Sequence, residues 1–487
     1  MAVPVSSLSM AGTGNPLPDA VEKDWAVYIY CGADNEYDVS AEFALEQCEK
    51  GMAAGIAEAA GEEDPITVHV VMYLDAKGAG NTVVYDLSSG EAVPVDMMDN
   101  GEYDSSNGAT LTEFLTKAMD HYPSGNTMLI VKNGHAWCGV CPDDDATEEA
   151  YLMPVNELAE VLTACGCVDV LALDGDNMAS IEVAYELRNS CSYLVASQQD
   201  VPLDGLPYCL FMEYLANNSE PAIPSQEDVA KTMVDKYVYY YNNTDGKKVL
   251  YDHLLSNSQM AVTASAFRMQ DDMQGDETNN MEDIVTSFDA CLDFMMNTKV
   301  AVEGMEDTYP WSSVYRNVIA SARDTALIGK MGDQAGYEWL PDVYTWLDKI
   351  VEYYEIEETC DESILTALRT AVDIFKGEFN AAVVDMEQSQ ILNRSGNSFP
   401  HGLNIWFPPT WLQWDTFDYT RTRTYLYDGS NVPLPAEYYC VDCPLDYNEI
   451  NLAFVKDTMW MDFLALHYDA RWTVYGNSDA PKEKPSR

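Results

Sequence analysis

Carboxylates follow an apolar segment near the middle of this 487-residue chain, in a pattern that could present reactive groups. Residues 168–173 have the composition of a fully buried parallel strand, and the polar residues 174–177, Asp-Gly-Asp-Asn, come directly after it. Apolar residues then recur at three- and four-residue spacing through Leu187, which predicts a helix. Such a turn lies at the carboxyl edge of a sheet, where α/β proteins hold their reactive groups. We therefore expect the functional site around Asp174 and Asp176.

Two Cys-x-x-Cys pairs form a second candidate site. Cys138 and Cys141 make up one pair, and Cys440 and Cys443 make up the other. Together they could hold one zinc ion in a structural site if the C-terminal region folds back over the edge of the sheet. Local disulfides or free thiols are the alternatives. Redox catalysis is disfavoured because no helical pattern follows the first pair.

Apolar segments predict the strands that must position these residues. They lie at residues 25–31, 66–74, 127–131, 168–173 and 193–197, with a shorter strand at 82–87. Helical patterns lie between them, including residues 41–60 and a helix that Thr110 and Glu113 would open as a capping box. Strands that alternate with helices predict an α/β fold with a mainly parallel sheet covered on both faces.

The pattern becomes mostly helical after about residue 225. Helices are predicted at 229–241, 281–298, 314–323, 343–355, 364–375 and around 460–468, and strands at 261–267 and 402–407 are predicted to return to the sheet. We divide the chain into a flexible leader (1–23), an α/β/α core (24–225), a mostly helical C-terminal region (226–475) and a tail (476–487). The first residues lack the basic and apolar parts of a signal peptide, and no apolar run could span a membrane.

The charge balance restricts the partners. The chain has 81 acidic and 26 basic residues, for a formal net charge of −55. This field repels nucleic acid and anionic membrane surfaces, so neither is expected as a partner. It favours basic peptides or proteins and cations such as Ca²⁺. A soluble acidic surface without a specific partner is the alternative explanation.

Residues 173–188, LDGDNMASIEVAYELR, resemble the nucleophile segment of the clostripain family of cysteine peptidases. In that family an apolar strand is followed by Asp, a small residue and the nucleophilic Cys, and then by a helix that reads Glu-Val-Ala-Tyr-Glu-Leu. Aligned without gaps, the Cys position falls on Asp176. Residues 402–409, GLNIWFPP, resemble the late strand of the same family. The resemblance implies a three-layer α/β/α fold of the caspase-like type.

The resemblance also indicates that the catalytic dyad is substituted. The family histidine precedes Gly-x-Gly-Trp, and alignment of Gly134 and Trp137 places Asn133 at its position. Asparagine cannot accept a proton near neutral pH, and an aspartate nucleophile would form an anhydride with the substrate. We therefore predict a catalytically inactive homologue, a pseudopeptidase. The alternative is an active endopeptidase cleaving after Arg or Lys, with His135 as the base. The competing interpretation of His135 is a surface or interface histidine.

An acidic pocket could survive the loss of the dyad. The resemblance implies two carboxylates that hold a substrate Arg or Lys: Asp174 matches one, and Asp204 is assigned to the other. Asp176 would add a third, and three such acids repel one another unless an Arg side chain, a Lys side chain or Ca²⁺ neutralises them. The calcium interpretation is weaker because the twelve-residue calcium loop is missing, although relatives use calcium. The alternative is a solvated acidic turn without a ligand.

Two further expectations come from the resemblance. Active relatives often cut themselves after a basic residue between the His and Cys segments, but residues 133–187 contain no Lys or Arg. Self-processing of that kind is therefore excluded here. The family habit implies export to the medium or the cell surface of a bacterium. A metal-stabilised structural or cell-surface interaction protein is the third candidate function.

Overall fold

The computed structural model describes most of the chain from residue 14 onward. The described residues are 14–35, 38–62, 64–78, 80–98, 101–135, 139–144, 152–217, 223–242, 262–270, 279–297, 313–328, 340–356, 362–390, 400–407, 452–464 and 467. The fold and the candidate site are built from these residues.

Ten strands in the described residues form one sheet. They are β1 (Lys23–Ala33), β2 (Val68–Ala76), β3 (Thr82–Asp86), β4 (Val93–Val95), β5 (Ser124–His135), β6 (Gly139–Val140), β7 (Val168–Asp176), β8 (Cys191–Ala196), β9 (Thr263–Arg268) and β10 (Val383–Gln388). Their order is β10-β9-β8-β7-β5-β1-β2-β3-β4, and β6 pairs with β5. The five central strands run parallel, and the outer strands add antiparallel pairs.

Helices cover both faces of this sheet. They are α1 (Asp38–Ala59), α2 (Gly108–His121), α3 (Val155–Cys165), α4 (Ile181–Glu186), α5 (Tyr208–Ala216), α6 (Gln226–Asn242), α7 (Asn280–Asn297), α8 (Ser313–Thr325), α9 (Val343–Ile356), α10 (Glu362–Ala382) and α11 (Ala453–Asp457). Residues 460–464 are also helical. Among the described helices, none is long and apolar enough to cross a bilayer.

Two hydrophobic clusters, one on each face of the sheet, form the core. Side chains of α1, α5 and α6 contribute to one cluster, and those of α2, α3, α4 and α7–α11 contribute to the other. Because both faces are covered, the central strands are continuous apolar runs, and every residue of β1 from Trp25 to Ala33 is buried. The predicted α/β class and the three-layer arrangement are confirmed.

The turn after β7 is shorter than the predicted polar segment. The strand continues through Asp174 and Asp176, because both residues pair with β5. Asn177, with a φ of 56°, begins the turn, and Ser180 caps α4 by accepting from the Val183 amide. The carboxylates therefore project from strand positions of fixed geometry and not from a loop.

The capping box predicted at the start of α2 is wrong. The helix begins at Gly108, and the Asn107 side chain caps it by accepting from the Ala109 amide. Thr110 consequently lies inside the first turn. Asparagine is at least as strong a cap as threonine, and here it comes three residues earlier.

The two returning strands differ in outcome. β9 matches the strand predicted at residues 261–267, but residues 402–407 form only isolated bridges at Asn404. The Asn404 amide donates to Ala179, its carbonyl accepts from Ile181, and the Ile405 amide donates to Pro341. The backbone groups of residues 404 and 405 therefore form hydrogen bonds with the segments that precede α4 and α9, and not with a neighbouring strand of the sheet.

Candidate functional site

A bulge at the carboxyl end of β5 positions the first candidate residue. Lys132 pairs in register with Asp174 of β7, but the register then shifts, and His135 lies opposite Asp176. Asn133 lies within this bulge and has a φ of 72°. Asparagine tolerates this left-handed conformation better than most residues do.

Asn133 is a buried crosslink between two strands. Its Nδ2 donates to the Gly32 carbonyl oxygen of β1 at 2.6 Å. The backbone carbonyl oxygen of Asn133 accepts from the backbone amide of Cys141 at 2.8 Å. The amide side chain therefore has a structural role at this position, and it offers no group that could take up a proton.

Asp176, at the end of β7, is half-buried and anchored to the next loop. Its Oδ1 accepts from the Val201 amide at 2.7 Å. The adjacent Asn177 donates from Nδ2 to Oδ1 of Asp200 at 2.7 Å. Asp200 is also half-buried, so this contact between the end of β7 and the loop after β8 includes a second carboxylate. Two acids thus lie at the rim of the sheet edge.

His135 reaches the same edge through its backbone. It ends β5, and its backbone pairs with β6 at Gly139 and with β7 at Asp176. The His135 side chain and residues 136–138 lie outside the described residues. The proposed role of His135 as an alternative base therefore stays a prediction.

Asp174 holds an internal cation. Its Oδ2 lies 2.9 Å from the Nζ of Lys132, and the two side chains are 0% and 3% exposed. The Tyr208 hydroxyl donates to the same Oδ2 at 2.6 Å, and the Leu206 amide donates to Oδ1 at 3.1 Å. Burial raises the pKa of Tyr208 well above its ordinary value, so its hydroxyl remains a donor.

The loop between β8 and α5 closes over this ion pair. Gly205 has a φ of 73°, and a Cβ atom there would lie 2.6 Å from Asp174 Oδ2 and 2.7 Å from Lys132 Nζ. The Gly205 carbonyl accepts from the Tyr241 hydroxyl at 2.8 Å, and its amide donates to Pro202 at 2.7 Å. Glycine is required here by both the backbone conformation and the close approach.

Asp204 lies next to Gly205 but has a different hydrogen-bond partner. It is 3% exposed, and its Oδ2 accepts from the Tyr240 hydroxyl at 3.1 Å. Asp174 of β7 therefore contacts the loop that carries Asp204, and both aspartates are buried. The role of these two acids in holding a substrate cation stays a prediction.

Two thiols lie near this edge, and neither is activated. Burial raises the pKa of the Cys31 thiol to about 12, although Lys132 opposes the shift. Burial also raises the pKa of the Cys141 thiol, which donates to the Lys132 carbonyl oxygen at 3.5 Å. Both thiols are protonated at neutral pH, whereas the thiolate is the nucleophile and the metal ligand.

Most residues of the predicted zinc site are not described by the structure. Cys138, Cys440 and Cys443 lie outside the described residues, and Cys141 is buried and not in a disulfide with any described cysteine. Within the part of the chain that is described, no group of three or more His, Cys, Asp or Glu residues is arranged to hold a metal ion. Zinc and calcium therefore remain predictions from the sequence.

A buried polar network ties the C-terminal region to the end of β8. Gln198 donates from Nε2 to Asp342 at 2.9 Å and to Asn404 at 3.0 Å. Asp342 also accepts from the amide of His401 at 2.8 Å, and its Oδ1 lies 3.2 Å from the imidazole Nδ1. Burial opposes ionisation, but His401 and Gln198 together hold the pKa of Asp342 below its ordinary value.

The sequence reasoning missed Lys132 and Tyr208 as members of the site. A signal was present, because Lys132 directly follows the apolar run 127–131 and precedes a stretch, residues 133–187, that contains no Lys or Arg. Its register opposite Asp174 is a property of the folded sheet. Tyr208 gives no local signal, since its contact with Asp174 depends on how the loop folds.

Similarity to known proteins identifies the family of this chain. The sequence profile of the clostripain family, peptidase family C11, matches residues 27–331. Curated protein sequences gave no match.

Solved structures of C11 proteases are similar in fold. An inactive zymogen C11 protease from Parabacteroides distasonis is 15% identical, with a TM-score of 0.52 over 81% of this chain and 96% of that one. A secreted C11 cysteine protease from Bacteroides thetaiotaomicron is 13% identical, with a TM-score of 0.52 over 79% and 94% of the two chains. A secreted C11 cysteine protease from the same organism, in complex with an irreversible peptide inhibitor, is 16% identical, with a TM-score of 0.50 over 78% of this chain and 88% of that one. At these identities the likeness concerns the fold.

Proposed function

The chain belongs to the clostripain family, and from this premise we propose that it is a member that does not cleave peptides by the cysteine–histidine mechanism. The observation that carries the proposal is the pair of residues at the two family positions. Asn133 and Asp176 stand where the resemblance places the histidine and the cysteine, and both side chains are held by hydrogen bonds to neighbouring backbone.

The chemistry of these two residues supports the proposal. Peptide hydrolysis by this route needs a thiolate, a base that activates it and an acid that protonates the leaving amine. Asn133 can serve neither as base nor as acid. Asp176 would have to form an anhydride with the substrate, which is uphill from an amide.

The two described thiols nearest these positions offer no replacement. Cys31 and Cys141 are fully buried, with pKa values raised by burial, so they contribute little thiolate at neutral pH. A rearranged enzyme would have to use another thiol, such as Cys138, together with His135.

A hydrolysis assay tests this proposal. Full-length protein is incubated with fluorogenic peptides that end in Arg or Lys, beside an active C11 protease as positive control. We expect no turnover above buffer, and no change when His135 is replaced by Ala. Turnover that is abolished by His135→Ala would instead establish the alternative, an endopeptidase with His135 as its base.

A second candidate function is recognition of basic peptides without cleavage. It is favoured by the two half-buried carboxylates at the rim, Asp176 and Asp200, in a chain of net charge −55. Arg-containing peptides should then bind the wild type and bind Asp176→Asn more weakly. The Asp204→Ala variant tests the inner part of the predicted pocket. Equal binding, or none, in all three proteins would reject this candidate.

Two further proposals concern location and metal. Export or cell-surface placement is supported by the likeness to a secreted C11 protease. A zinc-stabilised structural role is tested by elemental analysis of protein purified without chelator, and a zinc content far below one ion per chain would reject it.

A further inference from the structure

The inner acid of the candidate site already has a cation, and that cation is attached to the chain. Lys132 and Asp174 lie opposite each other on neighbouring parallel strands. Of the ion pairs in the described residues, theirs is the one in which both side chains are buried, at 3% and 0% exposure. A buried ion pair is tolerated only where further hydrogen bonds satisfy the remaining lone pairs and protons of the two groups. We therefore expect specific partners around Lys132 and Asp174.

The surroundings of this pair form a site for an ammonium group. The carboxylate of Asp174 is fixed by donors on both oxygens, Tyr208 and Leu206. The ring centroid of Tyr208 lies 5.7 Å from Lys132 Nζ, within the range of a cation–π contact. Gly205 completes the enclosure, because any side chain there would collide with the ammonium group or the carboxylate.

The position of the lysine decides what this site can accept. A basic side chain from outside could reach Asp174 only by displacing Lys132 from 2.9 Å. The displaced ammonium group would be left buried without a partner, which is strongly unfavourable. In the wild type, a basic segment is therefore restricted to the rim carboxylates.

We propose that Lys132 is a tethered ligand, which fills the acidic pocket around Asp174 from within and excludes the Lys and Arg side chains of peptides. Removal of its side chain should convert the pocket into a binding site for small primary alkylammonium ions. This role of Lys132 rests on the proposed function in one respect: by the resemblance, Asp174 is the acid that receives a basic side chain in relatives.

Chemical rescue of Lys132→Ala in the full-length chain tests the proposal. The substitution removes the propylammonium end of the side chain, and n-propylammonium chloride supplies the same group. We expect a saturable rise in the melting temperature of this variant, of about 2–4 °C. The wild type should show only the small shift that an equal concentration of sodium chloride causes.

Two controls assign a rise to the pocket. The double variant Lys132→Ala/Asp174→Asn lacks the carboxylate and should not respond to n-propylammonium. Tetramethylammonium is bulkier and donates no hydrogen bond, so it should not stabilise Lys132→Ala. An equal rise in either control, or no rise in Lys132→Ala, would overturn the tethered-ligand proposal.

Poor folding of Lys132→Ala would not prevent the test. In that case the yield of soluble protein after refolding is measured with n-propylammonium and with tetramethylammonium. Recovery with the first alone supports the proposal, and equal recovery with both overturns it. Peptide turnover by the wild type would overturn the proposed function, whereas failed rescue overturns only the role of Lys132.

Discussion

Two buried aspartates at one edge of the sheet show two ways in which this fold neutralises a carboxylate. Asp174 lies near the end of β7 on the face covered by α1, α5 and α6, whereas Asp75 lies near the end of β2 on the opposite face, in line with Tyr73. As whole residues, Asp174 is 3% exposed and Asp75 is 0% exposed. The difference between them lies in their partners.

Among the described residues, no cation is paired with Asp75. Its Oδ1 accepts from the Thr82 hydroxyl at 2.7 Å, and its Oδ2 is buried without a hydrogen-bond partner among the described residues. Burial, together with the negative charges of Asp143 and Glu102, raises the pKa of Asp75 to about 8, against the opposing hydrogen bond from Thr82. At neutral pH this carboxyl is therefore mostly protonated.

Asp174 and Asp75 are both buried, yet only Asp174 is paired with a described cation, so burial alone does not define a cation site. Asp174 lies in register with a lysine on the next strand, and the fold adds three enclosing groups around that pair. Asp75 is paired in the sheet with Gly32 and Thr82, neither of which carries a charge. Its carboxyl group is therefore neutralised by protonation and not by a cation. Substitutions at Asp174, Asp75, Gly205 and Thr82 test this difference.

Replacing Asp174 with Asn should destabilise the protein by about 3–5 kcal/mol, because it leaves the Lys132 ammonium buried and unpaired. The free energy of unfolding is measured by urea titration. The double variant Lys132→Met/Asp174→Asn should lose less stability than Asp174→Asn alone, since it removes both charges. A loss in the double variant equal to the sum of the losses in Lys132→Met and Asp174→Asn would show that the pair is not coupled.

Replacing Asp75 with Asn should change how stability depends on pH. The ordinary pKa of the Asp carboxyl is 3.8, and in the folded protein it is about 8. Between these values the folded state holds a proton that the unfolded state has released, so wild-type stability falls as pH rises, by at most about 1.4 kcal/mol per pH unit. Asp75→Asn removes this contribution.

Unfolding of wild type and Asp75→Asn is therefore compared from pH 5 to pH 9. The advantage of the variant should grow with pH and level off above about pH 8. A difference that does not vary with pH would mean that Asp75 does not titrate in this range.

Replacing Gly205 with Ala should cost about 1–3 kcal/mol, because the new methyl group collides with the Lys132–Asp174 pair and the backbone has a positive φ. Gly377→Ala is the matched control. Gly377 lies inside α10 with nothing within 4 Å of a Cβ atom, so alanine there should stabilise by about 0.5–1 kcal/mol. Melting temperatures that move in opposite directions confirm the prediction; a neutral Gly205→Ala contradicts it.

Replacing Thr82 with Val should have the smallest effect, about 1–2 kcal/mol, through loss of the hydroxyl that bonds Asp75 and the Tyr103 amide. The hydroxyl lowers the pKa of Asp75, so its removal should also move the pH midpoint upward. The same pH series measures both changes. A midpoint that stays fixed would show that this hydrogen bond does not tune the carboxyl.

Apolar periodicity was sufficient to predict most elements, because it reports directly on burial. The helices described as α6, α7, α9 and α10 all overlap predicted ones, and the central strands lie where continuous apolar runs predicted them. Boundaries that depend on single contacts were less accessible. The cap at Asn107 and the extension of β7 through Asp176 both depend on which backbone group finds a partner.

The candidate site was predictable in part for the same reason. The motif placed Asn133, Asp174 and Asp176 at one edge, and the described backbone brings them there. The partner of Asp174 could not be deduced, since Lys132 is 42 residues away in the chain and only the β5–β7 register brings them together. Long-range register is a property of the whole sheet and not of a local sequence pattern.

The cross-strand pairing of Lys132 with Asp174 also restricts how sequences of this kind can diverge. A chain that lost either charge alone would pass through an intermediate with a lone ion in its core, so the two positions should change together in descendants of this protein. A half-buried carboxylate at the rim, such as Asp200, carries a weaker restriction, because its loss strands no buried charge. Covariation between alignment columns 132 and 174 would therefore record this contact in the history of the lineage.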